Sequence, residues 1–311
     1  MPFTPDVLVL GGGGVLGEAW MMGVLSGLED ANRVDMRRCE YFVGTSAGAI
    51  VAAHLIAGRS PRRPDPESAN GGAPPQAPAE PARRLGAAGS SAVRATGEWA
   101  MAAAATFAPL ALGLAAPGGA LARAALLRRL PRPAHTLDGL RDHVAASGAR
   151  FDGRLRVTAV DRHSGRRVVF GSPRAPAATV ADAVAASCTV PWLFAPVEID
   201  GREYVDGGVW SGTNMDVAPA GRGALVLCLN PTASLPATAT VVSVLRRVSR
   251  SAATVEALAL RRRGATVRTF GPNAACAQEM GVNLMDRRKA KQVLAAGYRQ
   301  GLEIAAGTRA A

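Results

Sequence analysis

A chain of 311 residues with 48% apolar content can bury a sizeable core in one large domain or two. The formal net charge of +12 would concentrate anionic partners, but aromatics are only 5% and do not interleave with the arginines, so a base-stacking platform for nucleic acid is not expected. Four widely spaced cysteines, Cys39, Cys188, Cys228 and Cys276, contain no C-x-x-C and speak against both a zinc site and a disulfide framework.

Val7-Leu8-Val9-Leu10 is a continuous apolar run that predicts a buried strand. It opens on Gly11-Gly12-Gly13-Gly14-Val15-Leu16-Gly17, after which Trp20, Val24, Leu25 and Leu28 recur at helical spacing. Strand, glycine turn and helix in this order let successive backbone N–H groups converge on one point, which suits an oxyanion or a phosphate. Gly12-x-Gly14-x-x-Gly17 also fits a dinucleotide fingerprint, so a nucleotide-binding protein stays open as an alternative. That reading wants an acid closing the second strand, and the acid present, Glu40, lies at the wrong end of it.

The second strand, Glu40-Tyr41-Phe42-Val43, runs into Gly44-Thr45-Ser46-Ala47-Gly48 and then a helix rich in Ala, Ile and Leu over 47–57. Strand, sharp turn and helix around G-x-S-x-G form a nucleophile elbow. Gly44 and Gly48 permit the tight turn, and Ser46 is placed at a helix N-terminus where negative charge is favoured. An oxyanion hole from the N–H groups of Gly13, Gly14 and Ala47 fits this arrangement; one such donor is worth about 3 kcal/mol in a transition state. An idle serine in a small-residue turn is the competing interpretation of the pentapeptide alone.

A serine needs a general base, and the histidines do not supply one. His54 lies on the Ser46 helix, roughly 12 Å along its axis. His163 falls at an expected hairpin tip, and His135 and His143 flank a short polar helix. No histidine follows Asp206, so the chain order Ser…Asp…His is not available with that acid. Asp206 itself closes a strand, Glu203-Tyr204-Val205, and is followed by the turn residues Gly207 and Gly208. Strand ends are where α/β sites assemble, although an Asp-Gly pair alone is an ordinary turn. To act as a base near neutral pH its pKa must be raised by burial.

Between these motifs, 59–92 reads as a flexible Pro/Ala/Gly/Arg linker and 93–135 as an apolar helical insertion. The insertion is expected to cap an acyl-chain cleft or enter a bilayer interface, with Arg123, Arg128 and Arg129 snorkelling. Helices packed on the core are the plainer alternative, and a membrane span is disfavoured by Pro109 and Pro117. Further on, the patterns predict a helix over 136–146, paired strands 155–161 and 167–170, a helix over 180–187 and a strand over 224–229. An amphipathic helix over 241–260, a strand over 266–270 and a last helix over 286–306 complete the set. Strands alternating with helices indicate an α/β class, a three-layer α/β/α fold with a mostly parallel central sheet. Residues 1–58 are net acidic, whereas 59–135 and 241–311 are basic. The first strand starts within a few residues, so no signal peptide is expected and a reducing cytoplasm is the expected location.

These segments together resemble the patatin-like phospholipase family: glycine loop, Gly44-Thr45-Ser46-Ala47-Gly48, Ala186-Ser187-Cys188-Thr189-Val190-Pro191 and Asp206-Gly207-Gly208. The resemblance covers 5–58 and about 136–307 and implies one patatin-like domain over 1–311. It implies Ser46 as nucleophile, Asp206 as base, and Gly12, Gly13 and Gly14 lining the oxyanion hole. The implied activity is hydrolysis of lipid carboxylic esters through an acyl-enzyme, with no metal or organic cofactor. The expected partners are a lipid or acyl-ester substrate and, peripherally, an anionic membrane. Leu16 departs from the family, which often carries a cation before the last loop glycine; this bears on head-group preference. A non-catalytic membrane-binding module is a further alternative.

Overall fold

The computed structural model describes residues 4–66, 119–234 and 252–309. The strands, in chain order, are β1 (Val7–Leu10), β2 (Tyr41–Gly44), β3 (Leu155–Asp161), β4 (Arg167–Phe170), β5 (Val197–Ile199), β6 (Arg202–Asp206), β7 (Leu225–Leu229) and β8 (Thr266–Phe270). They form one sheet linked in the order β5-β6-β3-β2-β1-β7-β8, with β4 also on β3. The run β3-β2-β1-β7-β8 is parallel throughout, and the β3–β4, β3–β6 and β5–β6 pairs are antiparallel.

The helices are α1 (Gly14–Asn32), α2 (Ala47–Ile56), α3 (Gly119–Arg129), α4 (Asp138–Ala146) and α5 (Val180–Cys188). They continue with α6, described over 252–262, then α7 (Ala274–Met280) and α8 (Ala290–Arg309). β1 shows why the fold is layered. Its alternate residues Leu8 and Leu10 join a core with α1, α2, α5 and α8, while Val7 and Val9 join a second core with β7 and Ala253, Ala257 and Leu260 of α6. A strand covered on both faces must be apolar throughout, which is the pattern of Val7–Leu10. The three-layer α/β/α arrangement expected from the sequence is therefore the observed one.

β3 holds the key to the topology. Its residues Leu155–Val157 pair with Phe42–Gly44 of β2, its pairing with β6 begins at Ala159, and β4 overlaps both stretches from Val157 to Val160. Because β4 occupies one edge across that overlap, β2 and β6 share the other edge. β2 runs parallel and β6 antiparallel to β3, so their C-terminal ends converge head-on.

Several boundaries differ from the sequence expectation. α1 starts at Gly14, inside the glycine loop, and ends at Asn32, capped by Arg33, whose φ of 54° is left-handed. The last helix begins at Ala290, after a 3₁₀ turn, Arg287–Lys289, capped by the Asp286 side chain. α7 and β5 were not expected; each is short, and α7 is announced only by the Asn273 cap on the Cys276 amide. Most of the linker and the apolar stretch, 67–118, lies outside the described residues. Arg123 corrects one expectation. Instead of snorkelling, it is buried, stacks 4.3 Å from the Trp210 ring centroid and donates to Gly165 O at 2.5 Å. Its planar guanidinium packs on an aromatic face more readily than it stays hydrated. Among the described residues, no helix is long and apolar enough to cross a membrane.

Candidate active site

The glycine pattern around Ser46 follows from contacts. A Cβ at Gly48 would lie 1.9 Å from Leu10 O, and one at Gly44 would lie 2.5 Å from Ala49 Cα. Only glycine lets α2 start this close to β1 and fold back on β2. The turn forces Ser46 itself to φ 53° and ψ −122°, a strained conformation for a residue with a side chain. Ser46 is half-buried, and α2 begins directly after it.

Asp206 ends β6 on the shared edge of β3. It is 5% exposed, its backbone N–H donates to Thr189 O at 2.8 Å, and its Oδ1 accepts from the Gly208 amide at 2.7 Å. The Ser46 side chain lies close enough to act on its carboxylate. Burial raises its pKa from the ordinary 3.8 to about 6, while the Gly208 bond and the Ser46 side chain pull the other way. The two glycines after it are required by space: a Cβ on Gly207 would lie 2.4 Å from Thr158 O, and one on Gly208 would lie 3.0 Å from Asp206 Oδ1.

The glycine loop passes beside the serine. A Cβ at Gly12 would come 3.4 Å from Ser46 Cβ. Its amide, however, donates to Gly212 O at 2.8 Å, so Gly12 lines the site by lacking a side chain and not as a donor. The amides of Gly13, Gly14 and Ala47 have no partner among the described residues and remain available. Ser46's own amide is taken, donating to Ser187 Oγ at 2.8 Å. Leu16 is fully buried, with its amide on Leu284 O at 2.9 Å. That position is part of the core here, and the basic side chains nearest in sequence to its partner turn are Arg287, Arg288 and Lys289.

The histidines go elsewhere. His54 Nε2 lies 3.3 Å from His143 Nε2, and burial beside that ring lowers the His54 pKa to about 4. His163 sits at the β3–β4 tip, 3.7 Å from Glu203. The four cysteines are free, and no group of His, Cys, Asp and Glu among the described residues could hold a metal.

Three contributions were not legible in the sequence as site residues. Ser187 holds the nucleophile's backbone and Thr189 holds the aspartate's, both from the C-terminal end of α5. The Cys188 thiol between them faces Ser46, and burial raises its pKa well above that of a free thiol. The third is a buried polar relay in which Thr45 Oγ1 lies 2.9 Å from Thr158 Oγ1 and accepts from Asn214 Nδ2 at 3.1 Å. The segment 186–191 was visible as part of the family resemblance, but small polar residues at a helix end carry no chemical signature of their own.

The arrangement offers a strained serine, a buried carboxylate with a raised pKa beside it, and free amides at two helix N-termini. This is equipment for acyl transfer. The family model described as Patatin-like phospholipase matches residues 8–219. The crystal structure of VipD from Legionella pneumophila is similar at 14% identity and a TM-score of 0.43, over 98% of this chain and 67% of that one. No curated protein matches the chain. With the family match spanning more than half of its length and both Ser46 and Asp206, the chain belongs to the patatin-like phospholipase family.

Proposed function

We propose that the protein hydrolyses lipid carboxylic esters through an acyl-enzyme on Ser46, with Asp206 as general base. The observation that carries this reading is the convergence on one edge of β3 of the Ser46 elbow and a buried Asp206 whose pKa is raised to about 6 and on which the Ser46 side chain acts. A carboxylate of that basicity is mostly ionised at pH 7 yet basic enough to accept a hydroxyl proton in the transition state.

Ser46 Oγ attacks the ester carbonyl carbon while its proton passes to Asp206. The negative charge on the former carbonyl oxygen is received by the N–H groups of Gly13, Gly14 and Ala47, with the α1 and α2 dipoles behind them. Collapse breaks the ester C–O bond, and the departing alcohol takes the proton from Asp206. Water then attacks the acyl carbon, gives a proton to Asp206, and the carboxylic acid leaves as Ser46 regains its hydrogen.

The lipid class rests on the family and on the rim of the loop. Val282 and Met285, each 38% exposed, precede Arg287 and Arg288, and the intervening Leu284 O holds the Leu16 amide. Apolar tips beside cations suit peripheral contact with an anionic bilayer, and a cytoplasmic enzyme working at that surface is the location proposed.

The test labels wild type, Ser46→Ala and Asp206→Asn with a fluorophosphonate and follows turnover of phospholipid and monoacyl esters. Labelling lost in Ser46→Ala, with turnover lost in both variants, is expected. Full labelling of Ser46→Ala, or turnover in Asp206→Asn equal to wild type, would overturn the assignment.

A further inference from the structure

The loop after Asp206 touches every working part of the site. Gly212 O accepts the Gly12 amide of the glycine loop at 2.8 Å. Asn214 Nδ2 donates to Thr45 Oγ1, the residue before the nucleophile, at 3.1 Å, and to Gly207 O, the residue after the base, at 3.2 Å. It also closes its own turn on Ser211 O at 2.7 Å. Asn214 is fully buried and left-handed, with φ 49°, a conformation that its short polar side chain tolerates. A loop so shaped needs an anchor on its far side.

That anchor is a carboxylate from α6, on the opposite face of the sheet. Glu256, 8% exposed, accepts from Thr213 Oγ1 at 2.5 Å and from the Met215 amide at 2.8 Å, both through Oε2. The Ser211 side chain lies beside it and accepts from the Thr213 and Asn214 amides, each at 3.3 Å. We propose that Glu256 is a positioning residue for the ester hydrolysis assigned above, fixing the 211–215 loop and through it Gly12, Thr45 and Gly207 at once. The inference rests on that assignment. Glu256 lies beyond residues 8–219, so the family match does not carry it.

A carboxylate used only to staple the fold is the plainer role, and the two differ in what they predict. Because both of the 213 and 215 donors use one oxygen, glutamine can replace the carboxylate: its Oε1 accepts both bonds. Alanine cannot, and leaves buried donors without partners. The experiment compares wild type, Glu256→Gln, Glu256→Ala and Thr213→Val, each shown to be folded at the assay temperature. Measurements are kcat and KM on 4-nitrophenyl butyrate, the rate of fluorophosphonate labelling, and hydrogen exchange at the Gly12 amide.

For Glu256→Ala a fall in kcat of about 10- to 100-fold with little change in KM is expected, the size that a small misplacement of reacting groups produces. Labelling should slow in step, and Gly12 should exchange faster. Thr213→Val should move in the same direction by less, and Glu256→Gln should stay near wild type. Should Glu256→Ala not fold, the contrast between Thr213→Val and Glu256→Gln decides. A folded Glu256→Ala or Thr213→Val with wild-type kcat overturns the proposal, as does a Glu256→Gln as slow as the alanine variant. A wild-type protein that neither turns over ester nor labels at Ser46 instead overturns the hydrolase reading on which the proposal rests.

Discussion

Gly44 and Asp206 lie two residues apart along one edge of β3, opposite Val157 and Ala159 respectively. The strands that carry them approach from opposite directions, so the chain leaves the sheet at Thr45-Ser46 and at Gly207-Gly208 in the same place. The proximity of the Ser46 side chain to the Asp206 carboxylate is a consequence of that register. A slip of one residue in either pairing would turn one of the two side chains to the other face.

The pH dependence follows from the aspartate. With Asp206 as the proposed base, activity requires its ionised form, and burial raises its pKa to about 6, so kcat/KM on a soluble ester should rise with pH through about 6 and level off above it. Asp206→Asn should lose this limb and fall by about 10²- to 10⁴-fold, the usual contribution of a general base. A limb near pH 4, or one abolished by His54→Gln, would contradict the assignment.

The same burial works against stability. A carboxyl whose folded pKa exceeds its ordinary 3.8 binds its proton more tightly in the native state, so its contribution to stability is largest below about 4 and is lost as pH rises through about 6. Asp206→Asn should therefore be more stable than wild type at pH 8, by up to about 3 kcal/mol, and close to it at pH 4. Thermal unfolding of both proteins across that range checks it; a difference independent of pH would contradict the buried-charge account.

Ser187 offers a separate handle on the elbow. Its Oγ accepts the Ser46 amide at 2.8 Å in a fully buried position. Ser187→Ala leaves that donor unsatisfied and should cost about 1–3 kcal/mol in denaturant unfolding. Fluorophosphonate labelling of Ser46 should slow in the folded protein, because the strained turn loses one of its restraints. Labelling at the wild-type rate would mean that β2 and α2 hold the elbow unaided.

Two glycines make a paired test of the close approach. Gly48→Ala puts a Cβ 1.9 Å from Leu10 O, backbone against backbone, and should yield no soluble folded protein or one destabilised by more than about 4 kcal/mol. Gly139, in α4, has nothing within 4 Å of such a Cβ. Gly139→Ala should be neutral or stabilising by about 0.5–1 kcal/mol. Equal effects of the two substitutions would show that propensity, and not the β1–α2 contact, sets the glycine requirement.

The amino-acid sequence by itself determined most of the local elements and singled out the candidate reactive groups. The apolar run Val7–Leu10 and the β-branched stretch Thr266–Phe270 fall where strands form, and Gly44, Gly48, Gly207 and Gly208 mark turns whose crowding the contacts explain. These are short-range matters of side-chain size and period, which a linear string records. Tertiary structure alone decided which edge of β3 takes β6, and thereby that Asp206 is buried beside Ser46 with a raised pKa. It also decided that Gly12 spends its amide on Gly212, that Arg123 turns inward onto Trp210, and that Ser187, Thr189 and Glu256 brace the site. Each depends on contacts between distant segments, where desolvation and hydrogen-bond partners are set by packing and leave no periodic mark in the chain.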